Sequence, residues 1–147
     1  VIQDGYEYVR NTNKTYDAIV VDIGSPTIVY SSALFKQEFF QEAYDRLNED
    51  GVFAMWSFEA NHQFTKIIYN TLKAVFPYVV IKNHNFGNRF IALKSFNKEI
   101  LPLENNKYME EILKEPIYET NTIPNPNAEK YFNLDAIWRR IPKLLLR

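Results

Sequence analysis

Acidic side chains follow three strand-like segments of this sequence. Asp22 comes directly after the apolar run at residues 18–21, Glu59 follows a second apolar run, and Asp4 follows a short stub at the start. In an open α/β sheet, ligands bind beyond the carboxyl ends of the strands, so we expect the three carboxyl groups on one rim. A carboxylate there accepts hydrogen bonds from a ribose, an adenine amino group or a substrate amine. The pattern predicts a site for a cationic or hydroxyl-rich ligand.

Each of these acidic residues also has a structural interpretation. An aspartate that closes a strand is often a helix cap or a turn former, and both interpretations stay open for Asp22. Asp4 precedes Gly5, and Asp-Gly is a common turn pair, so a turn is favoured for Asp4 taken alone. Glu59 is compatible with a solvated side chain. Ser57 lacks the G-x-S-x-G context of a nucleophile elbow.

The sequence lacks the motifs of a metal or phosphate site. Its two histidines, His62 and His84, have no cysteine partners and no metal-ligand spacing, so we expect structural or surface roles and no bound metal. Its four glycines are isolated, which excludes a glycine-rich phosphate or dinucleotide loop within these residues. Because the sequence also begins with valine, we expect it to be a fragment of a longer protein.

Composition narrows the classes of function. The 147 residues are 46% hydrophobic and 24% charged, with a net charge of −1 and no cysteine. These values are typical of one globular domain and exclude a disulfide framework. The near-zero charge predicts no nucleic-acid partner. The lack of an apolar stretch of about 18 residues predicts no membrane span. With no signal-like leader, we expect a cytoplasmic location.

Hydrophobic periodicity predicts the elements that position the acidic residues. Residues 18–21 and 52–56 are apolar runs without alternation, which is typical of central strands buried on both faces. Residues 36–47 and 63–75 keep their apolar side chains at helical spacing. Gly51 is expected to end the first of these helices in a left-handed conformation.

The remaining residues complete the predicted fold. Residues 78–82 and 89–94 read as strands joined by a short turn, which predicts an antiparallel hairpin. The order of elements predicts an α/β domain with a mostly parallel sheet and an antiparallel edge. We interpret residues 97–147, which are rich in proline, as an extension with short helices. One of them carries Trp138 and Ile141 on an apolar face for a partner or a second copy of the chain.

The order of several motifs resembles the polyamine aminopropyltransferases, the spermidine synthase family. The resemblance covers roughly residues 1–96 and is carried by Asp4-Gly-Tyr-Glu-Tyr-Val9, Tyr16-Asp-Ala-Ile-Val-Val-Asp22, Leu34-Phe35, Leu47-Asn-Glu-Asp-Gly-Val52, Phe76-Pro-Tyr-Val79 and Phe86-Gly87. It implies the C-terminal half of a Rossmann-like domain of the S-adenosylmethionine methyltransferase type. It also implies transfer of an aminopropyl group from decarboxylated S-adenosylmethionine to a diamine or polyamine.

The resemblance implies roles for individual residues. Asp4 and Gly5 match the family's Asp-Gly pair, whose aspartate contacts the adenine, and Asp22 matches the aspartate that orients and deprotonates the attacking amine. The family's glycine-rich loop and its ribose-binding acidic residue precede the Asp-Gly pair and have no counterpart in these residues. We therefore expect the fragment alone to be inactive, and the protein to be a homo-oligomer.

Three departures from the family pattern fall on the acceptor side of the site. Ser25 stands where the family has a second aspartate that holds the diamine, and Trp56 stands where a glutamine is frequent. Residues 84–87, His84-Asn-Phe-Gly87, replace a Tyr-Pro-Ser-Gly stretch. A neutral serine removes one anchor for a cation, and Glu59 is a candidate to compensate for it. Ser25 and Glu59 are accordingly the predicted acceptor-binding residues.

Two other functions stay open. A methyltransferase on the same fold would use S-adenosylmethionine itself, and the acceptor loop would distinguish it from an aminopropyltransferase. The departures at Ser25 and Trp56, together with the unmatched extension, are also compatible with a non-catalytic binding or oligomerisation module.

Overall fold

The computed structural model describes residues 3–23, 29–58, 62–84 and 87–96, together with Thr122. Both helices and strands occur along these residues. The elements in chain order are α1 (Gly5–Asn11), β1 (Tyr16–Val21), α2 (Val29–Ser32), a 3-10 turn (Ala33–Phe35), α3 (Gln37–Arg46), β2 (Leu47–Ser57), α4 (His62–Lys73), β3 (Tyr78–His84) and β4 (Gly87–Leu93).

The four strands form one mixed sheet in the order β1-β2-β4-β3. β1 and β2 are parallel, with Val21 paired to Met55, whereas β4 is antiparallel to both β2 and β3. β3 and β4 form the predicted hairpin, in which His84 pairs with Gly87. The prediction of an α/β fold with an antiparallel edge is therefore confirmed.

The core lies between one face of this sheet and the helices α3 and α4. Phe53 of β2 is fully buried, and its ring centroid lies 5.5 Å from that of Phe40 in α3 and 5.6 Å from that of Phe76. α4 buries an apolar stripe at helical spacing, which consists of Phe64, Ile67, Ile68 and Leu72. Both helices form where their sequence periodicity predicts them, because each buries its apolar side on the same sheet face.

The prediction that residues 18–21 are buried on both faces is wrong for the described structure. Ala18 is exposed, and Val20 retains 70% of its accessible surface. Within the described residues β1 pairs with β2 alone, so it is an edge strand with one covered face. An apolar run without alternation therefore does not by itself establish two-sided burial.

The predicted left-handed cap at Gly51 is also wrong. α3 passes directly into β2 at Leu47, Gly51 lies within that strand, and no glycine in the described part of the chain has a positive φ. A Cβ at position 51 would lie 2.9 Å from the carbonyl oxygen of Asn48. Glycine is accommodated here by a close backbone approach rather than by a special backbone angle.

The predicted helices of the C-terminal extension, with Trp138 and Ile141, lie outside the described residues. The division of the chain at residues 96 and 97 stays a prediction. Among the helices that the structure describes, none has the length and apolar character needed to cross a membrane.

Candidate active site

One edge of the sheet brings together the ends of β1 and β2 and the start of β4. Val21 pairs with Met55, so Asp22 follows β1 close to the level at which β2 ends with Ser57. Ser57 in turn pairs with Asn88 at the start of β4. This edge is the one at which open α/β sheets bind their ligands.

Asp22 is exposed at this edge, directly after the last residue of β1. Its carboxylate is therefore accessible to a ligand from solvent. Ser25 and Glu59, the two predicted acceptor-binding residues, lie outside the described residues. His62 begins α4 with an exposed side chain, and His84 closes β3.

Asp4 is the N-cap of α1, a helix that the sequence analysis missed. Its Oδ1 accepts a hydrogen bond from the backbone N–H of Glu7 at 3.0 Å, and its carbonyl oxygen accepts one from Tyr8 at 2.9 Å. The turn interpretation of the Asp4-Gly5 pair is thus replaced by a cap. An acidic residue three positions after a capping residue is a known signature of a helix start, and Asp4 with Glu7 fits that spacing.

Gly5 is the first residue of α1 and is exposed. A Cβ built at this position would meet no atom within 4 Å. Packing within the chain therefore does not require a glycine here. A glycine here instead leaves room for a ligand to approach the first turn of α1 closely.

α1 is held against α3 by contacts at both of its ends. Arg46, the last residue of α3, donates from Nε to the carbonyl oxygen of Val9 and from Nη2 to that of Arg10, both at 3.3 Å. Nearer the start of the helix, the rings of Tyr6 and Phe39 lie 5.9 Å apart. α1 and α3 thus run in the same direction and end together. Because the end of α3 continues into the start of β2, the N-cap Asp4 lies at the opposite end of α1, towards the sheet edge at which β1 and β2 end.

A pair of tyrosines links α1 to the opposite end of β1. The hydroxyl groups of Tyr8 and Tyr16 are 2.9 Å apart. This hydrogen bond lowers the pKa of Tyr16, because Tyr8 stabilises its phenolate, and raises the pKa of Tyr8. Because Tyr16 begins β1 and Asp22 follows its end, this pair lies away from the candidate site.

Three buried polar side chains lie beneath the edge that carries Asp22, and sequence reasoning did not single out two of them. Ser57, Thr65 and Asn88 are each at most 1% exposed. Asn88 donates from Nδ2 to Thr65 Oγ1 at 2.9 Å, and Ser57 Oγ donates to the carbonyl oxygen of Phe58 at 3.2 Å. Thr65 and Asn88 are 23 residues apart, so no local sequence signal reveals their contact.

Gly87 allows β2 and β4 to approach closely at the polar layer formed by Ser57, Thr65 and Asn88. A Cβ at position 87 would overlap the carbonyl oxygen of Ser57 and lie 3.0 Å from its carbonyl carbon. No side chain fits at such a distance without movement of the backbone. Gly87 therefore fixes the relative position of the end of β2 and the start of β4.

Comparison with known proteins identifies relatives of this chain. Residues 1–99 match the spermine/spermidine synthase domain. A polyamine aminopropyltransferase of Thermotoga petrophila is 38% identical over 79 residues, which are 52% of this chain and 27% of the relative. Polyamine aminopropyltransferase 1 of Aquifex aeolicus is 35% identical over 82 residues, which are 54% of this chain and 29% of the relative.

Solved structures share the fold. A spermidine synthase in complex with the transition-state analogue AdoDATO superposes with a TM-score of 0.60 at 24% identity, over 98% of this chain and 50% of that one. Human methyltransferase-like protein 13 in complex with SAH gives a TM-score of 0.56 at 23% identity, over 84% of this chain and 62% of that one. The chain spans about half the length of the spermidine synthase.

These relatives agree with the Rossmann-like, methyltransferase-type fold expected from the motifs. More than half of the chain lies within one domain match, and the curated relatives align over the same region. The chain belongs to the spermine/spermidine synthase domain family.

Proposed function

We propose that this chain provides the acceptor side of a polyamine aminopropyltransferase. The enzyme would transfer an aminopropyl group from decarboxylated S-adenosylmethionine to a diamine or polyamine. The observation that carries the proposal is the position of Asp22, an exposed carboxylate at the carboxyl end of β1 beside the end of β2, in a chain of this family. Curated relatives are named polyamine aminopropyltransferases.

The chemistry requires a base near the acceptor nitrogen. An alkylammonium ion has no lone pair, so it must lose a proton before its nitrogen attacks the carbon next to the sulfonium. A new C–N bond then forms while the C–S bond breaks, and the electron pair of the C–S bond neutralises the sulfonium and releases methylthioadenosine. Asp22 orients the amine and accepts its proton. A fixed position of the amine opposite the reacting carbon lowers the barrier further.

The cosubstrate end of the site is assigned to Asp4 and Gly5. One carboxylate oxygen of Asp4 caps α1, and this bond fixes the side chain at the start of the helix. In the proposed role its remaining acceptor capacity receives the adenine amino group. The absence of a side chain at Gly5 leaves room for the adenine.

The acceptor end of the site is assigned to Ser25 and Glu59 on sequence grounds. Ser25 is neutral where the family has an aspartate, so the far end of the acceptor loses one charged anchor, and Glu59 would replace it. A cytoplasmic location, a homo-oligomeric state and a site without metal complete the proposal.

The test is Asp22→Asn in the full-length protein that carries this chain. We expect kcat to fall about 100-fold or more, because general-base catalysis typically contributes 10²–10⁴-fold. The dissociation constant for the cosubstrate should change less than about twofold, a free-energy difference below about 0.4 kcal/mol. Release of methylthioadenosine with putrescine as acceptor measures the turnover.

Asp45→Asn is the matched control for this experiment. Asp45 is an exposed aspartate on α3 whose Oδ1 accepts a hydrogen bond from Gln41, remote from the sheet edge. Its replacement should leave turnover unchanged. Unchanged turnover in Asp22→Asn would remove Asp22 from the mechanism. Absence of methylthioadenosine from the unsubstituted protein with any amine would overturn the proposed activity.

A methyltransferase is the second candidate, because methyltransferase-like protein 13 shares the fold at a TM-score of 0.56. Isothermal titration calorimetry with S-adenosylmethionine and with its decarboxylated form separates the two functions. Tighter binding of the decarboxylated form supports the aminopropyltransferase. A clear preference for the carboxylated form supports the methyltransferase.

A further inference from the structure

We propose that Asn88 is a hydrogen-bonding group at the acceptor end of the site, and that its side-chain carbonyl oxygen receives an N–H group of the acceptor amine. The proposal rests on the proposed aminopropyltransferase function and adds a specificity-determining residue to it. Three observations carry it: the hydrogen bonding of the Asn88 amide, its position in the sheet, and the chemistry of the ligand.

The amide of Asn88 is only half satisfied. Its Nδ2 donates to Thr65 Oγ1 at 2.9 Å, whereas its Oδ1 is buried and accepts no hydrogen bond from any residue that the structure describes. If the two amide ends were exchanged, the NH₂ group would be the end without a partner, so one end of the amide stays unpaired in either orientation. A buried amide oxygen without a donor destabilises the folded state, and such a group calls for an explanation.

The register places Asn88 at the end of the sheet at which ligands of this fold bind. Asn88 pairs with Ser57, the last residue of β2, and Val21 pairs with Met55 two residues earlier. Asn88 and the residues that follow β1 are therefore two strand spacings apart, about 10 Å between backbones. Asp22 and Asn88 thus lie at the same end of the sheet, on the two strands that flank β2.

Gly87 makes this position rigid. Its backbone passes so close to the Ser57 carbonyl group that no Cβ is tolerated, and Asn88 is the next residue in β4. Thr65, which lies on the first turns of α4 and is fully buried, fixes the other end of the amide. The Asn88 oxygen is consequently held in place before any ligand binds, which is the arrangement that favours specific recognition.

The ligand that matches this oxygen is an amine with more than one nitrogen. Asp22 contacts the nitrogen that reacts, so the protein needs a second hydrogen-bond acceptor for the other nitrogen of a diamine. Ser25 cannot supply a negative charge where the family has an aspartate. A neutral, buried amide oxygen replaces part of that interaction, because hydrogen bonds are stronger where water is excluded. Asn88 would therefore help to select acceptors by the distance between their nitrogens.

The test is the double substitution Thr65→Val and Asn88→Leu in the full-length protein. Both changes keep the approximate shape and remove the two partners of the Thr65–Asn88 hydrogen bond together. If Asn88 serves the ligand, the midpoint of thermal unfolding should stay the same or rise. KM for putrescine should rise roughly 10- to 100-fold, as expected for loss of a hydrogen bond to an amine, and kcat should change little.

Thr71→Val is the matched control. Thr71 is a fully buried threonine on the same helix whose Oγ1 donates to the carbonyl oxygen of Ile67 at 2.6 Å. It reports what loss of a buried hydroxyl on α4 does to stability alone, and KM for putrescine should not change. An unaltered KM in the double variant, or a rise in KM that Thr71→Val reproduces, would overturn the role of Asn88.

Direct binding separates this inference from the proposed activity. Calorimetry of putrescine with the unsubstituted protein and the double variant, in the presence of methylthioadenosine, requires no turnover. Loss of affinity in the double variant alone supports the role of Asn88 even if no product forms. Turnover that is insensitive to the double substitution refutes the role of Asn88 and leaves the aminopropyltransferase intact. Absence of putrescine binding in the unsubstituted protein refutes the inference.

Discussion

The aromatic core and the polar layer lie on the same face of one sheet but are held by different contacts. Three aromatic rings, those of Phe39, Phe40 and Phe76, pack around Phe53 with centroids at most 6.3 Å from its own, and none of them needs a polar partner. Around Asn88, by contrast, a few directed hydrogen bonds and one close backbone approach determine the geometry. The packing of the rings tolerates small changes in their relative orientation, whereas the hydrogen bonds of the polar layer do not. The polar layer is also the part nearest the end of the sheet that carries Asp22.

The largest expected effect comes from the core. Phe53→Ala should lower the free energy of unfolding by about 3–5 kcal/mol, because a fully buried ring is replaced by a cavity. Urea denaturation monitored by circular dichroism measures the loss. Val20→Ala, at a position that is 70% exposed, is the control and should change stability by less than about 0.5 kcal/mol. Equal effects at the two positions would contradict the described core.

Gly87→Ala should disturb the polar layer. The added methyl group would overlap the Ser57 carbonyl oxygen, so the two strands must separate, at a cost of about 1–3 kcal/mol. Gly5→Ala is the matched comparison for stability, because no atom lies within 4 Å of the added group, and it should stabilise the helix by up to about 1 kcal/mol. Thermal unfolding of both variants provides the measurement. A neutral Gly87→Ala would show that the strands are further apart than described.

Two substitutions at Asp4 separate its helix-capping hydrogen bond from its negative charge. Asp4→Ala should cost about 1 kcal/mol through loss of the bond to the Glu7 N–H. Asp4→Asn retains a capping oxygen and should keep most of that stability. If the carboxylate also binds the cosubstrate, both variants should weaken cosubstrate binding, as measured by calorimetry. Full affinity in Asp4→Asn would show that Asp4 acts as a cap and that its charge plays no part in binding.

The smallest effect is expected at the tyrosine pair. Tyr8→Phe removes the hydroxyl that stabilises the Tyr16 phenolate, so the pKa of Tyr16 should rise towards its ordinary value. Tyr16 with a lowered pKa ionises before an ordinary tyrosine as the pH increases, and the variant should lose this early step. Ultraviolet absorbance during an alkaline titration detects it. An unchanged first step would mean that the two hydroxyl groups do not share a hydrogen bond in solution.

The sequence predicted those features that depend on local periodicity. α3 and α4 lie where their apolar spacing indicates, and the hairpin of β3 and β4 follows from two strand patterns with a short connection. The motif order led to the correct family because several short patterns had to occur in one order. Asp22 was identified because an acidic residue directly followed a strand pattern, and its catalytic role stays a prediction.

Features that depend on distant neighbours were not predicted. Burial of residues 18–21 depends on what flanks β1, and the sequence of a strand does not report its neighbours. α1 was missed because the Asp4-Gly5 pair was interpreted as a turn, although Glu7 stands at the capping spacing. The contact between Thr65 and Asn88 joins a helix to a strand, and neither residue belongs to a recognisable motif.

The outer edge of β1 bears on how copies of the chain could associate. In the described residues, β1 leaves one edge of its backbone unpaired next to Val20, and such an edge is a template for the addition of another extended segment. A net charge of −1 provides little repulsion between copies. A lysine introduced there, as in Val20→Lys, would raise the concentration at which the chain stays in solution.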